Sequence, residues 1–198
     1  MRWTRRTALA TPWVATLATL ASLSCMTASN SGKSAAMTQE QKVARGKYLV
    51  MTNACSDCHT PGTLYGSADT TRWLSGTDLG WVGPWGVVHA ANLTPDPETG
   101  LGTWTEDEIV AALRTGSRPD GRPLAPIMPW QSFANFTDED AHAIAAYLMS
   151  IPAVKHQVPP VIPPGARMTG PLVIFPPPSA WDAMNLPKPP GEPASTRK

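Results

Sequence analysis

Apolar positions recur at helical spacing in three places along the chain, and a helix-start signal stands before each. At 38–41, "TQEQ" pairs Thr38 as N-cap with Gln41 three positions on, the reciprocal capping pattern. Val43, Ala44, Tyr48, Leu49 and Val50 form an apolar stripe behind it, so a helix is predicted from Gln39 to Thr52. At 105–108, "TEDE" repeats the pattern with three acids in the first turn, where they complement the helix dipole. Ile109, Val110, Ala112 and Leu113 follow, and Gly116 is placed to end that helix. At 137–140, "TDED" opens a third run containing Ala141, Ile144, Ala145, Leu148 and Met149, which Pro152 limits.

The remaining chain lacks this periodicity. Residues 61–103 are rich in Gly, Trp, Pro, Asn and Thr, and read as irregular loop with one short extended piece at "WGVVHAANL". So long a loop needs a reason, and wrapping a large cofactor is one. Beyond Gln157, residues 158–198 hold 12 of the 22 prolines, a density that no helix or internal strand tolerates. This segment is expected to be an extended tail or a strap over the domain surface, with "PLVIF" and Trp181 as its docking elements.

The N-terminus adds an export signal. Arg2, Arg5 and Arg6 precede an apolar run from Ala8 to Ser24 that Pro12 interrupts, shorter than a membrane span requires. "TRRTAL" is similar to a twin-arginine signal. "ASLSC" resembles a bacterial lipoprotein box, with Ser22 where an aliphatic residue is usual, so Cys25 is either a lipidated first residue or discarded with the signal. Ordinary cleavage near Ala28 or Ala36 is the alternative. Residues 1–24 are thus read as signal, 25–37 as a flexible tether, 38–157 as the domain and 158–198 as the Pro-rich tail. Cleavage before Cys25 removes three arginines and no acid, taking the formal charge from +1 to −2. A mildly acidic exported protein is not built to hold nucleic acid.

Cys25, Cys55 and Cys58 are the three cysteines, neither an even set nor spread as a disulfide framework would be. Two of them lie in "NACSDCHTPG", residues 53–62. "CSDCH" is C-x-x-C-H, the attachment signature of c-type haem. Each thiol adds across one haem vinyl group, and His59 serves as the proximal iron ligand. A thioredoxin-like dithiol would need a βαβ setting, and structural zinc a fourth ligand. The sequence offers neither.

Three stretches together, "RGKYLVMTNACSDCHT", "GPWGVVHAANLTPDPETGLGTWTEDEIVAALRTG" and "RPDGRPLAPIMPWQSFANFTDEDAHAIAAYLMSIP", resemble class I cytochrome c domains. More narrowly, they are similar to the domains of cytochrome subunits in periplasmic alcohol and gluconate dehydrogenases. The resemblance covers residues 38–157. It implies an all-α fold, a few helices and long loops wrapped around one covalent haem. It also implies a sixth iron ligand at Met128 of "IMPW", in a proline-braced loop 69 residues after His59. Of the other methionines, Met149 reads as core, Met51 lies near the proximal side, and Met37, Met168 and Met184 fall in tails. His89 is the competing ligand for a bis-histidine centre; His142 and His156 read as exposed.

Other residues carry weaker expectations. Trp73, Trp81, Trp85, Trp104 and Trp130 pack either on a haem plate or in an ordinary core. Asn92 and Thr94 are candidates to bond the haem propionates. Arg114, Arg118 and Arg122 neutralise propionates, steer an acidic partner, or line a solvated loop. The second nitrogen of His59 should donate to a backbone carbonyl, with the "GPWG" loop as candidate source. Two protein ligands on one iron favour single-electron transfer over catalysis, with a dehydrogenase, an oxidase or another cytochrome as partner. A haem peroxidase or a gas or redox sensor with a labile distal ligand is the alternative. Membrane contact is expected only through a lipid on Cys25, and the location is periplasmic or membrane-anchored outside the cytoplasm.

Overall fold

The structure is a computed structural model, and it describes residues 36–177. The signal, Cys25, Met184 and Trp181 lie outside these residues, as do most of the tether and the end of the tail.

Local capping chemistry sets the helices. Helix α1 (Gln39–Thr52) starts at Thr38, whose hydroxyl accepts from the Gln41 amide at 3.2 Å while Gln41 Oε1 accepts from the Thr38 amide at 2.9 Å. After the short α2 (Cys55–His59), α3 (Glu106–Thr115) has the same reciprocal cap between Thr105 and Glu108 and ends on Gly116 at φ +67°. A single turn, α4 (Trp130–Phe133), precedes α5 (Asp138–Ser150), whose Thr137 hydroxyl accepts from the Asp140 amide. Each cap satisfies amides that a helix start would otherwise leave unpaired.

The core lies where α1, α3 and α5 meet. Leu49 and Val50 of α1, Ile109 and Val110 of α3, and Ala141, Ile144, Ala145 and Leu148 of α5 are buried together with Leu74 and Leu101 from the long loop. Among the described residues the α1–α5 packing is the most extensive, and Arg45 bridges it with a two-pronged contact to Asp140 at 2.7 and 3.2 Å. Met37, read as tail, packs on this core, as do Trp73 and Trp104.

The all-α expectation needs an addition. Strands β1 (Gly80–Gly83) and β2 (Gly86–His89) form an antiparallel hairpin, with Trp81 opposite Val88 and Val82 opposite Val87. A third strand, β3 (Leu172–Ile174), lies parallel to β1, giving the order β2-β1-β3. It comes from the Pro-rich segment, which runs back over the hairpin. Ile162 exchanges backbone bonds with Val87 at 2.8 and 3.0 Å, and the Phe175 ring lies 6.3 Å from Trp81 and 5.8 Å from Trp85. Prolines are tolerated because they flank the paired residues rather than replace them. Among the described residues, no helix is long and apolar enough to cross a membrane.

Candidate haem site

The turn that leaves α1 builds the site. Asn53 ends the helix, and Ala54 takes the left-handed conformation, φ +55°. The chain thereby reverses into α2, one turn carrying Cys55, Cys58 and His59. A second non-glycine left-handed residue, the fully buried Leu74 at φ +58°, donates its amide to Thr60 Oγ1 at 2.9 Å. Such residues cost about 1–3 kcal/mol each and persist where the surroundings dictate them. Ala54 directly precedes α2, and Leu74 is tied to Thr60, the residue that ends it.

Both thiols on α2 are free and half-buried. Burial pushes the Cys55 thiol up to about 11, and burial followed by Asp57 raises Cys58. His59 is buried, and its Nδ1 lies 2.7 Å from the Ala91 carbonyl. A carbonyl only accepts, so Nδ1 carries the proton and Nε2 keeps its lone pair. Burial lowers the basicity of the ring against the opposing effect of that carbonyl, which keeps it in the neutral form a metal ligand needs. The "GPWG" loop, the expected source of this carbonyl, does not supply it. Ala91 does, from the segment following β2.

That segment is heavily anchored. Gly76 donates to the His59 carbonyl at 2.8 Å, Thr77 to Ala90 O at 3.1 Å, and Leu93 to Leu74 O at 2.8 Å. Gly76 has φ +83°, and an added Cβ would lie 2.7 Å from Ala90 O and 2.8 Å from Asn92 N, so only glycine fits. Asn92 and Thr94, expected at propionates, are instead buried and bonded to each other and to Val154. His156, read as exposed, is tied down as well: Nδ1 donates to Ser75 O at 2.9 Å, and Nε2 lies 3.2 Å from Asp78.

Asp96 closes the next turn. Its Oδ1 accepts from the Thr99 hydroxyl and amide, both at 2.7 Å, and from the Glu98 amide at 3.2 Å. The Thr99 side chain first, then these amides, hold the carboxyl below its usual range. A depressed carboxylate contributes stability above its unfolded pKa of about 3.9 and loses it as pH falls through the folded value. Urea unfolding of wild type should therefore show stability falling below about pH 4. Asp96→Asn should make that fall shallower; an unchanged acid slope would remove Asp96 as a contributor.

Met128 stands apart from α2 in sequence and element, in the loop before α4. It is half-buried; its amide donates to Ala125 O at 2.9 Å, and Trp130 N donates to its carbonyl at 2.8 Å. Trp130 packs against Gly116, where an added Cβ would lie 2.5 Å from the indole. Trp81 and Trp85 pack on Phe175 of the strap. Arg114 joins Asp138 and the Phe136 carbonyl, Arg122 pairs with Asp120, and Arg118 lies 5.5 Å over the Trp104 ring. His89, on β2, has its ring beside Gly80 and the Pro159 backbone.

Two free thiols and a neutral imidazole with one nitrogen committed, all on one turn, fit a covalently attached haem: the donors suit thioether bonds and one axial position. Fold and site together define a small, mainly helical haem-attachment domain. Residues 43–152, more than half of the chain, match the family described as Cytochrome c. The chain belongs to the cytochrome c family, and membership implies covalently bound haem c. It is 33% identical over 150 residues to the cytochrome c subunit of the quinone alcohol dehydrogenase of Gluconobacter oxydans, covering 75% of this chain and 28% of that protein. It is 33% identical over 123 residues to the cytochrome subunit of fructose dehydrogenase of Gluconobacter japonicus, covering 59% and 24%. Against the cytochrome c subunit of gluconate 2-dehydrogenase of Pantoea cypripedii it is 36% identical over 107 residues, covering 54% and 22%. The chain spans less than a third of the length of each of these relatives. All three are cytochrome subunits by name, in line with an electron-transfer component rather than an enzyme.

Proposed function

We propose that the protein carries single electrons through one haem c. Cys55 and Cys58 would hold the group covalently, and His59 and Met128 would be its iron ligands. The observation that carries the reading is the buried His59 ring, its Nδ1–H donated to Ala91 O, on the same helical turn as two free thiols. Haem supplies one-electron Fe(III)/Fe(II) chemistry. Ligation by His59 and Met128 together would leave no iron site for a substrate, and a histidine–methionine pair favours a raised potential. One C-x-x-C-H motif supports a single haem.

The partner class is a redox protein: a dehydrogenase, an oxidase or another cytochrome. The dehydrogenase is favoured by the names of the relatives. The arginine-led apolar run at 1–24 supports export to the outer side of the cytoplasmic membrane, and Cys25 would be the point of lipidation, with 25–37 as tether and 38–157 as the haem-binding domain.

Oxidised and reduced spectra of the haem-loaded protein, with and without carbon monoxide, test this reading. Wild type should show a sulfur-to-iron band when oxidised and no carbon monoxide binding when reduced. Met128→Ala should abolish the band and open the reduced protein to carbon monoxide, with His59 unaffected. A wild type that binds carbon monoxide readily and lacks the band would move the protein to the peroxidase or sensor class.

A further inference from the structure

We propose that Asn92 is a positioning residue for the proximal ligand: it fixes the Ala91 carbonyl against His59 Nδ1 and thereby holds the reduction potential down. The inference rests on His59 ligating iron.

Every donor and acceptor position of the Asn92 side chain is in use. Its Nδ2 donates to Val154 O at 2.8 Å and to Thr99 Oγ1 at 3.0 Å; its Oδ1 accepts from the Thr94 amide at 2.9 Å and the Thr94 hydroxyl at 2.7 Å. The residue is 2% exposed. An amide side chain has two donors and two acceptor sites, so none remains for a direct contact with haem. Its influence must pass through the backbone.

The backbone route is short. Ala90 O and Leu93 N are pinned by Thr77 and Leu74, and between them lies the peptide that joins Ala91 to Asn92. That peptide carries the carbonyl His59 uses. The side chain fixing its far end is Asn92, bonded forward to Thr94 and Thr99 and across to the chain leaving α5 at Val154. The partners are themselves locked. Thr94 Oγ1 accepts from the Val154 amide at 3.1 Å, and Thr99 Oγ1 from the His156 amide at 3.0 Å. A firm carbonyl at Nδ1–H orients the imidazole and raises its basicity, which favours the oxidised metal. Loosening it should do the reverse.

The test uses the full haem-loaded chain. Midpoint potentials, the His59 Nδ1–H proton resonance of the reduced form, and urea stability are measured for wild type, Asn92→Ala, Thr94→Val, Thr94→Ser and Gly46→Ala. Asn92→Ala should shift the reduction equilibrium toward Fe(II) by about tenfold, equivalent to roughly 59 mV upward for one electron, and move the Nδ1–H resonance. Thr94→Val, which removes one of the four bonds, should shift both in the same direction by less and remains informative if Asn92→Ala fails to fold. Thr94→Ser keeps the hydroxyl and should return to the wild-type values. Gly46→Ala, which loosens the α1–α5 crossing, should lose stability with neither signal moving. If the Asn92 and Thr94 variants behave like Gly46→Ala, less stable but unmoved in potential and resonance, the inference is overturned and the proximal reading stands. A wild type without a His59 Nδ1–H signal characteristic of a bound imidazole overturns both.

Discussion

Gly46→Ala is expected to destabilise the folded protein by about 3 kcal/mol, the upper part of the range for overpacked sites. Intrinsic preference predicts the opposite sign, since alanine inside a helix is better than glycine by roughly 1 kcal/mol. Close approach decides between them. Gly46 lies mid-way along α1 at its crossing with α5, facing the backbone of Ala143. A Cβ there would overlap Ala143 O outright, and would lie 2.6 Å from Ala143 C and 2.7 Å from Tyr147 Cβ. None of these is the loose end of a flexible side chain. Relief requires the two helices to part, because Ala143 and Tyr147 of α5 meet Gly46 with backbone and Cβ atoms. For a chain of this size the loss corresponds to about 6–12 °C in melting temperature. Thermal and urea unfolding of the haem-loaded protein measure it. A neutral or stabilised variant would mean that α1 and α5 do not pack at backbone distance.

What is legible in the sequence follows the range of the interactions. Thr38 with Gln41 and Thr105 with Glu108 close their caps within three residues, so local pattern alone places the helix starts. The C-x-x-C-H turn is equally local, because the thiols and the imidazole must share one helical turn to do their chemistry. The carbonyl that meets the His59 ring is not readable. Its contact with His59 spans 32 residues, and a backbone oxygen leaves no residue-type signature; alanine at 91 says nothing of it. Asn92 and Thr94 read as donors to a cofactor because polarity in a long loop suggests an outward target, whereas both side chains are buried and bonded within the protein. The N-x-T spacing carries the contrary signal, since asparagine commonly bonds the backbone two residues on, as Oδ1 does with the Thr94 amide. His156 looks exposed because it follows a helix end, yet Ser75 and Asp78, some 80 residues earlier, hold it.

The small sheet is hidden for a further reason. β1 reads "GWVG", two glycines around two apolar residues, with no alternation to announce a strand. Its parallel partner arrives about 90 residues later from a proline-rich stretch. Only "PLVIF", an apolar island among prolines, marks where that stretch docks. Both strands owe their order to each other rather than to intrinsic preference, which is how short strands generally behave.

Truncation after Gln157 should therefore cost the domain stability rather than simply remove a tail. The segment places five apolar side chains, Val158, Ile162, Leu172, Val173 and Phe175, in half-buried positions. Val158 Cγ1 would meet a Cβ on Gly76 at 2.6 Å, so it sits directly on the turn whose amide holds the His59 carbonyl. Phe175 covers Trp81 and Trp85, and its amide donates to Val82 O at 2.8 Å. Full burial of one such side chain contributes about 1.5–3 kcal/mol. Half-burial of five contributes more than that in gross terms, against the backbone entropy of an extended strap. The proline content lowers that entropy, because each ring has already fixed φ in the unfolded chain. A net loss of about 2–4 kcal/mol is expected on truncation, from one to two large apolar side chains' worth of burial. Newly exposed Trp81 and Trp85 should shift the tryptophan emission to the red. Urea unfolding of full-length and truncated proteins, both haem-loaded, measures the first effect and fluorescence the second. Equal stability and unchanged emission would confine the folded unit to residues 38–157 and make the strap an accessory lying on it. A loss in the expected range would instead extend that unit through Phe175, and the turn that holds His59 would then depend on chain that lies beyond the last helix.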